Sequence, residues 1–223
     1  MTNSIDYNAL LLKVMAHDLL APLTAIKWQT ELLERHINEK KKRGPYIEGI
    51  AGSTELGITL TRHVHVAARV LGGGYQGALY EGNLSEIIQK SITALRLQYE
   101  RHGLKLDTKV ESVEGKEELD EALIGLFVWS AGKFFLTCTP PETTVRVRGM
   151  STEEKKYVFS VSAPNIKERD ILENLFSNSE INGDFDQTFV FVKLLQEIAP
   201  MLGAVLSVEQ DAEFFAVTIV FEK

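Results

Sequence analysis

The chain has 223 residues, 44% hydrophobic and 25% charged, a folded globular balance that argues against a disordered, collagen-like or low-complexity chain. Lys plus Arg number 24 against 31 Asp plus Glu, a formal charge of −7, so nucleic acid read through a basic face is a poor partner and protein a better one. One cysteine, Cys138, provides neither a disulfide framework nor a thiolate metal site. The start, Met1-Thr2-Asn3-Ser4-Ile5-Asp6, lacks a basic flank leading into an apolar core, and no apolar run nears the roughly 18 residues of a membrane span, so a cytoplasmic protein is expected.

The first third has a helical period. Leu12, Ala16, Leu19, Leu23, Ile26, Thr30, Leu33 and Ile37 form a heptad seam, and Ile47, Ile50, Thr54, Gly57, Thr61, Val64, Ala68 and Leu71 form a second. Between them, Glu39-Lys40-Lys41-Lys42-Arg43-Gly44-Pro45 reads as a solvated turn that ends one helix and starts the next. Two helices cannot enclose a core alone. Pairing two such hairpins into a four-helix bundle buries both seams, so a homodimer is expected.

Leu71-Gly72-Gly73-Gly74-Tyr75-Gln76-Gly77 breaks the period, which divides the chain into a hairpin over 1–72, a hinge over 73–82 and a second domain over 83–223. The glycine run lacks the Gly-Lys-Ser/Thr ending of a phosphate loop. Asn83 can cap a helix to about Arg101, with Leu84, Ile87, Ile88, Ile92, Leu95 and Leu97 as its main apolar positions. Leu104–Val110 alternates as a strand, Glu117 to about Phe135 reads as a buried helix, and Thr143–Arg148 with Tyr157–Ser162 form a strand pair. Helices over Ile171–Phe176 and Phe189–Met201 and strands over Ala204–Val208 and Phe215–Phe221 follow. The second domain is therefore α+β, one sheet with helices on one face.

His17 is one position past seam residue Ala16, about 100° round the helix, which turns it toward solvent. An exposed imidazole is a usable nucleophile at neutral pH. Asp18 follows it and can orient the ring or take its proton. Pro22 offers no N–H to the Asp18 carbonyl and loosens that turn.

The run His17-Asp18-Leu19-Leu20-Ala21-Pro22-Leu23-Thr24-Ala25-Ile26 resembles the phospho-acceptor box of two-component histidine kinases. The order hairpin then α/β domain is similar to that family's dimerisation and ATP-binding pair, so the resemblance spans nearly the whole chain. It implies that His17 is the nucleophile, Asp18 its acid-base neighbour and Pro22 a local kink. It also implies response-regulator receiver domains as partners; helical proximity to His17 alone places their docking around Leu20, Ala21, Thr24, Lys27 and Trp28. Kinases that also act as phosphatases usually carry Thr or Asn where this chain has Ala21.

The family's nucleotide motifs are eroded. Gly125 and Ser130 stand where an Asn-x-x-x-x-Asn pair holds Mg²⁺ and phosphate. In the Asp-x-Gly-x-Gly-Ile box, Val161 takes the Asp position, Ala163 and Asn165 the glycine positions and Ile166 the last. The Gly-x-Gly-Leu turn aligns with Thr188-Phe189-Val190-Phe191, and only Ser177–Gln187 remains for the lid over ATP. Leu126, Ala131, Ile166, Leu195 and Gly203 still fit the framework. The pattern is similar to the histidine phosphotransferases of the ChpT type, which implies a degenerate ATPase-like α/β sandwich, no bound cofactor, and Mg²⁺ supplied by the partner receiver. The implied activity is phosphoryl relay between receiver aspartates through His17; a kinase with an unorthodox ATP site and a receiver-binding scaffold are the alternatives.

Other candidates read as structural. His63 and His65 are two apart on a helix and diverge, whereas helical metal ligands favour a spacing of four. His36 and His102 read as surface residues, Cys138 as buried, and Trp28 as either packed or part of a docking face.

Overall fold

The computed structural model describes residues 7–154, 156–166, 176, 188–210 and 214–221. The chain divides into two compact units, Met1–Arg69 and Val70–Lys223.

The first unit is a helical hairpin of α1 (Tyr7–Arg35) and α2 (Lys40–Leu71). The turn between them is earlier than the sequence suggests. Glu39 donates its N–H to the His36 carbonyl, and its own carbonyl accepts from Lys42 and Arg43. Its carboxylate bridges His36 Nδ1 at 2.6 Å and Lys42 Nζ at 2.8 Å. The basic run therefore forms the first turn of α2, where Lys and Arg are good helix formers, and Pro45 lies inside the helix. His36 is not a plain surface residue: its ring stacks 6.0 Å from that of Tyr46.

The hairpin's interior is displaced by one residue from the two expected seams. On α1 the stripe Leu11, Val14, Asp18, Pro22, Ala25, Gln29, Leu32 and His36 is buried or half-buried, and on α2 so is Tyr46, Gly49, Ser53, Leu56, Leu60, His63, Ala67 and Val70. Leu12, Leu23, Ile37 and Ile47 from the expected seams are exposed in the single chain. Counting apolar residues finds the most apolar stripe. Here the two helices close instead on small and polar side chains, as where Gln29 overlies Gly49 so closely that a Cβ there would meet its amide 2.5 Å away.

The second unit contains a five-stranded sheet ordered β2-β4-β5-β7-β6: β2 (Lys105–Val110), β4 (Thr144–Ser151), β5 (Tyr157–Ala163), β6 (Ala204–Gln210) and β7 (Phe215–Phe221). Only β2 and β4 run parallel; the other neighbours are antiparallel. A separate ribbon pairs β1 (Tyr80–Gly82) with β3 (Glu117–Leu119). The helix expected from Glu117 thus starts four residues later. Residues 117–119 extend to pair with β1, and Asp120 then caps α4 (Glu121–Cys138) by accepting from the Leu123 N–H at 2.9 Å. Asn83 caps α3 (Leu84–Arg101) in the same manner, as its sequence predicts.

α3, α4 and α5 (Thr188–Met201) share one face of the sheet. Val145, Val147, Tyr157, Phe159 and Val161 point into this core, together with Phe127, Phe134, Phe135, Phe191 and Phe215. Tyr99 on α3 donates its hydroxyl to the Gly132 carbonyl of α4 at 2.7 Å, tying two helices inside the core. The helix expected over Ile171–Phe176 and the lid segment Ser177–Gln187 lie outside the described residues, apart from helical Phe176. Among the described residues two helices, α1 from Ala9 and α4, are by length and composition apolar enough to cross a membrane, contrary to the expectation that none would be; α4 is largely buried inside the second unit.

Candidate functional site

His17 and Asp18 occupy the middle of α1 on different sides of it. The imidazole is 83% exposed, whereas the Asp18 side chain, on the interior stripe, is 11% exposed, and His17 Nδ1 lies 3.5 Å from Asp18 Oδ1. A carboxylate beside Nδ1 can hold a proton on that nitrogen and leave the Nε2 lone pair for reaction. Buried Pro22 is one turn on, where it denies the Asp18 carbonyl a helical partner.

Leu20, Ala21, Thr24, Lys27 and Trp28 are all exposed. With His17 they fall within about 120° of the helix circumference. Trp28, 61% exposed, is the largest apolar group of that face. α1 therefore has three stripes: one closes on α2, one is the uncovered apolar seam through Leu12 and Leu23, and one carries His17.

His63, which sequence reasoning weighed only as a metal ligand, is buried on the interior stripe of α2. The stacking of His36 on Tyr46 and the packing of Gln29 over Gly49 set an antiparallel register that brings the Asp18 level of α1 opposite the region of Leu60 and His63. Burial pulls the His63 pKa from 6.5 to about 4, so the ring is neutral. Its place on a mixed polar and apolar stripe hid it from a count of apolar positions.

In the second unit, most positions aligned with nucleotide motifs are enclosed, while Asn165 is exposed. Gly125 and Ser130 are buried within α4, and the Ser130 hydroxyl finds no hydrogen-bond partner among the described residues. The adjacent Trp129 ring meets Phe191 edge-on, with centroids 5.4 Å apart. Val161, Ala163 and Ile166 are buried. Thr188 starts α5 with its hydroxyl 3.3 Å from that of Thr137. Asn165 adopts a positive φ of 54°, the left-handed conformation that glycine takes most easily, which agrees with its alignment to a glycine of the family pattern. Magnesium needs hard oxygen ligands, and Gly125 and Ser130 offer it one enclosed hydroxyl.

No protein-family model and no curated protein matches the chain. Solved structures do. A structure described as a bacterial phosphotransferase aligns with a TM-score of 0.56 at 16% identity, covering 98% of each chain. The histidine kinase AdeS of Acinetobacter baumannii aligns at 0.53 and 11% identity over 92% of this chain and 97% of that one. The histidine kinase domain of the blue-light-activated kinase EL346 from Erythrobacter litoralis aligns at 0.51 and 14% identity over 97% and 92%. From helical hairpin to ATPase-like α/β unit, the chain has the fold of histidine kinase domains and of a bacterial phosphotransferase.

Proposed function

We propose that this chain is a histidine phosphotransferase that passes a phosphoryl group between receiver-domain aspartates through His17, without using ATP. The observation that carries this reading is the exposed His17 imidazole with Asp18 at its Nδ1, in the middle of a clear helix face. A receiver bearing an aspartyl phosphate docks on Leu20, Ala21, Thr24, Lys27 and Trp28. Nε2 attacks phosphorus, the N–P bond forms as the P–O bond to the receiver aspartate breaks, and the aspartate leaves as a free carboxylate. Asp18 holds the ring and stabilises the positive charge that develops on it. The reverse sequence on a second receiver returns the group to an aspartate. Phosphoryl transfer depends mainly on positioning and charge neutralisation, and the receiver would supply the Mg²⁺.

Enclosure of Gly125, Ser130, Val161 and Ala163 supports the absence of a nucleotide step. The uncovered stripe through Leu12, Leu23, Ile37 and Ile47 supports pairing with a second copy into a four-helix bundle. That pairing also accounts for the apolar character of α1 in a protein read as cytoplasmic.

Two measurements test the reading. The first is calorimetric titration with Mg-ATP and Mg-ADP into the millimolar range, for which no saturable heat is expected; saturable binding returns the chain to the ATP-dependent kinases. The second offers the protein a panel of phosphorylated receivers. Label is expected on the wild type and not on His17→Gln, and receiver binding without transfer to His17 would leave only a scaffold.

A further inference from the structure

Among the described residues, helices cover one face of the five-stranded sheet, and the strand register fixes what the other face carries. Met150, Val158, Val220 and Val205 are successive cross-strand neighbours from β4 to β6. They form an apolar row across that outer face, and its two ends, Met150 and Val205, are 42% and 57% exposed.

The β2–β4 corner of the same face is basic, a local reversal in a chain of formal charge −7. Lys109 lies directly across from Arg148, and Asp107 from Arg146. Like charges opposite one another weaken a strand pair, so folding alone does not favour this arrangement. Asp107 neutralises Arg148 through a side-chain ion pair, and the same guanidinium donates to the Asp107 and Val147 carbonyls at 3.0 Å. The side chains of Lys105, Lys109 and Arg146 are exposed and form no salt bridge among the described residues.

We infer that this face is a further docking surface, taken transiently by a protein that presents carboxylates next to an apolar ridge. The carboxylates meet Lys105, Lys109 and Arg146, and the ridge lies along the row from Met150 to Val205. The face measures roughly 20 Å along the strands and 24 Å across them, about 500 Å². A stable interface takes about 800 Å² from each partner, whereas transient encounters take less. A second copy of the face fits poorly, because it brings one unpaired carboxylate, Glu209, to the basic corner. Sheets that bind single-stranded nucleic acid stack bases on aromatic side chains, and no aromatic residue stands on this face.

The test titrates the full chain with a fluorescein-labelled peptide of alternating Glu and Leu, read by anisotropy and by amide-detected NMR. Weak, saturable binding is expected, with shifts confined to β2, β4 and β5 and none from the same peptide carrying Gln for Glu. Arg146→Gln combined with Lys109→Gln should weaken it at least tenfold, and Met150→Ser combined with Val205→Ser at least threefold, with the circular dichroism unchanged. Absence of binding at millimolar peptide, equal binding of the Gln peptide, shifts that map elsewhere or unchanged affinity in the charge variant overturn the proposal. So does tighter binding of a single-stranded oligonucleotide or of phosphatidylglycerol vesicles at the same amides. A dimer that is lost in Val205→Glu by sedimentation also overturns it, since the face then belongs to a second copy.

Discussion

His17 and Asp18 are neighbours in sequence with opposite relations to water: the His17 side chain is 83% exposed and that of Asp18 11%, with 3.5 Å between Nδ1 and Oδ1. A carboxylate anchored in the hairpin interior cannot follow the ring outward, so it acts as a fixed reference for one nitrogen. Asp18→Asn keeps the shape and loses the charge. It should slow transfer from a phosphorylated receiver by about 10²-fold, the low end for a positioned acid-base group, while His17→Gln abolishes it. Rapid-quench transfer kinetics read both. An Asp18→Asn rate within twofold of wild type would deny the carboxylate any part in the chemistry.

The proposed docking face makes a separate prediction. Trp28 lies eleven residues beyond His17, about 16 Å along the helix, so it cannot reach the reacting phosphorus. Large exposed aromatics often dominate protein interfaces. Trp28→Ala should weaken receiver affinity at least tenfold and leave the transfer rate within the bound complex nearly unchanged. Concentration-dependent transfer assays separate affinity from rate, and an effect confined to the rate would move Trp28 out of the interface.

The uncovered seam can be tested by oligomeric state. Leu23 and Ile37 are exposed in one chain, so a charge there costs the isolated hairpin little. In a bundle, each buried leucine or isoleucine contributes about 1.5–3 kcal/mol, and a two-fold interface counts each twice. Ile37→Glu, remote from His17, should therefore weaken self-association by at least 100-fold in sedimentation equilibrium. An unchanged dimer would place the interface on another stripe.

How much of this was legible in the sequence depended on the kind of signal. Asn83 and its helix, the inward Val145, Val147, Phe159 and Val161, and the chain order of hairpin then sheet were readable because caps and alternation are local. The exposure of His17 was readable from its offset to the apolar seam. The interior stripe was not, since Asp18, Gln29, Ser53 and His63 are polar and only partner geometry reveals that they face inward. β1 and β3 escaped because three-residue strands have no period to detect, and their partners are more than thirty residues apart in sequence.

Burial of His63 predicts a pH dependence whose sign can be worked out. The folded-state pKa is about 4 against 6.5 for the ordinary side chain, so between these values the unfolded chain binds a proton that the folded chain refuses. Stability is then complete above about pH 6.5 and falls as pH drops toward 4. A displacement of this size corresponds to about 3 kcal/mol. Glu39, held below the usual carboxylate range chiefly by its hydrogen bond to Lys42, and Asp107, held low by Arg148, lose their pairs only at still lower pH. Urea denaturation of the wild type at pH 7 and pH 5 should show a lower midpoint at pH 5, and His63→Met, close in volume and without a proton to gain, should remove most of that difference. If the wild type and His63→Met lose equal stability between the two pH values, the buried imidazole is not the group that senses acid, and the hairpin must tolerate a charged His63 by opening locally to water.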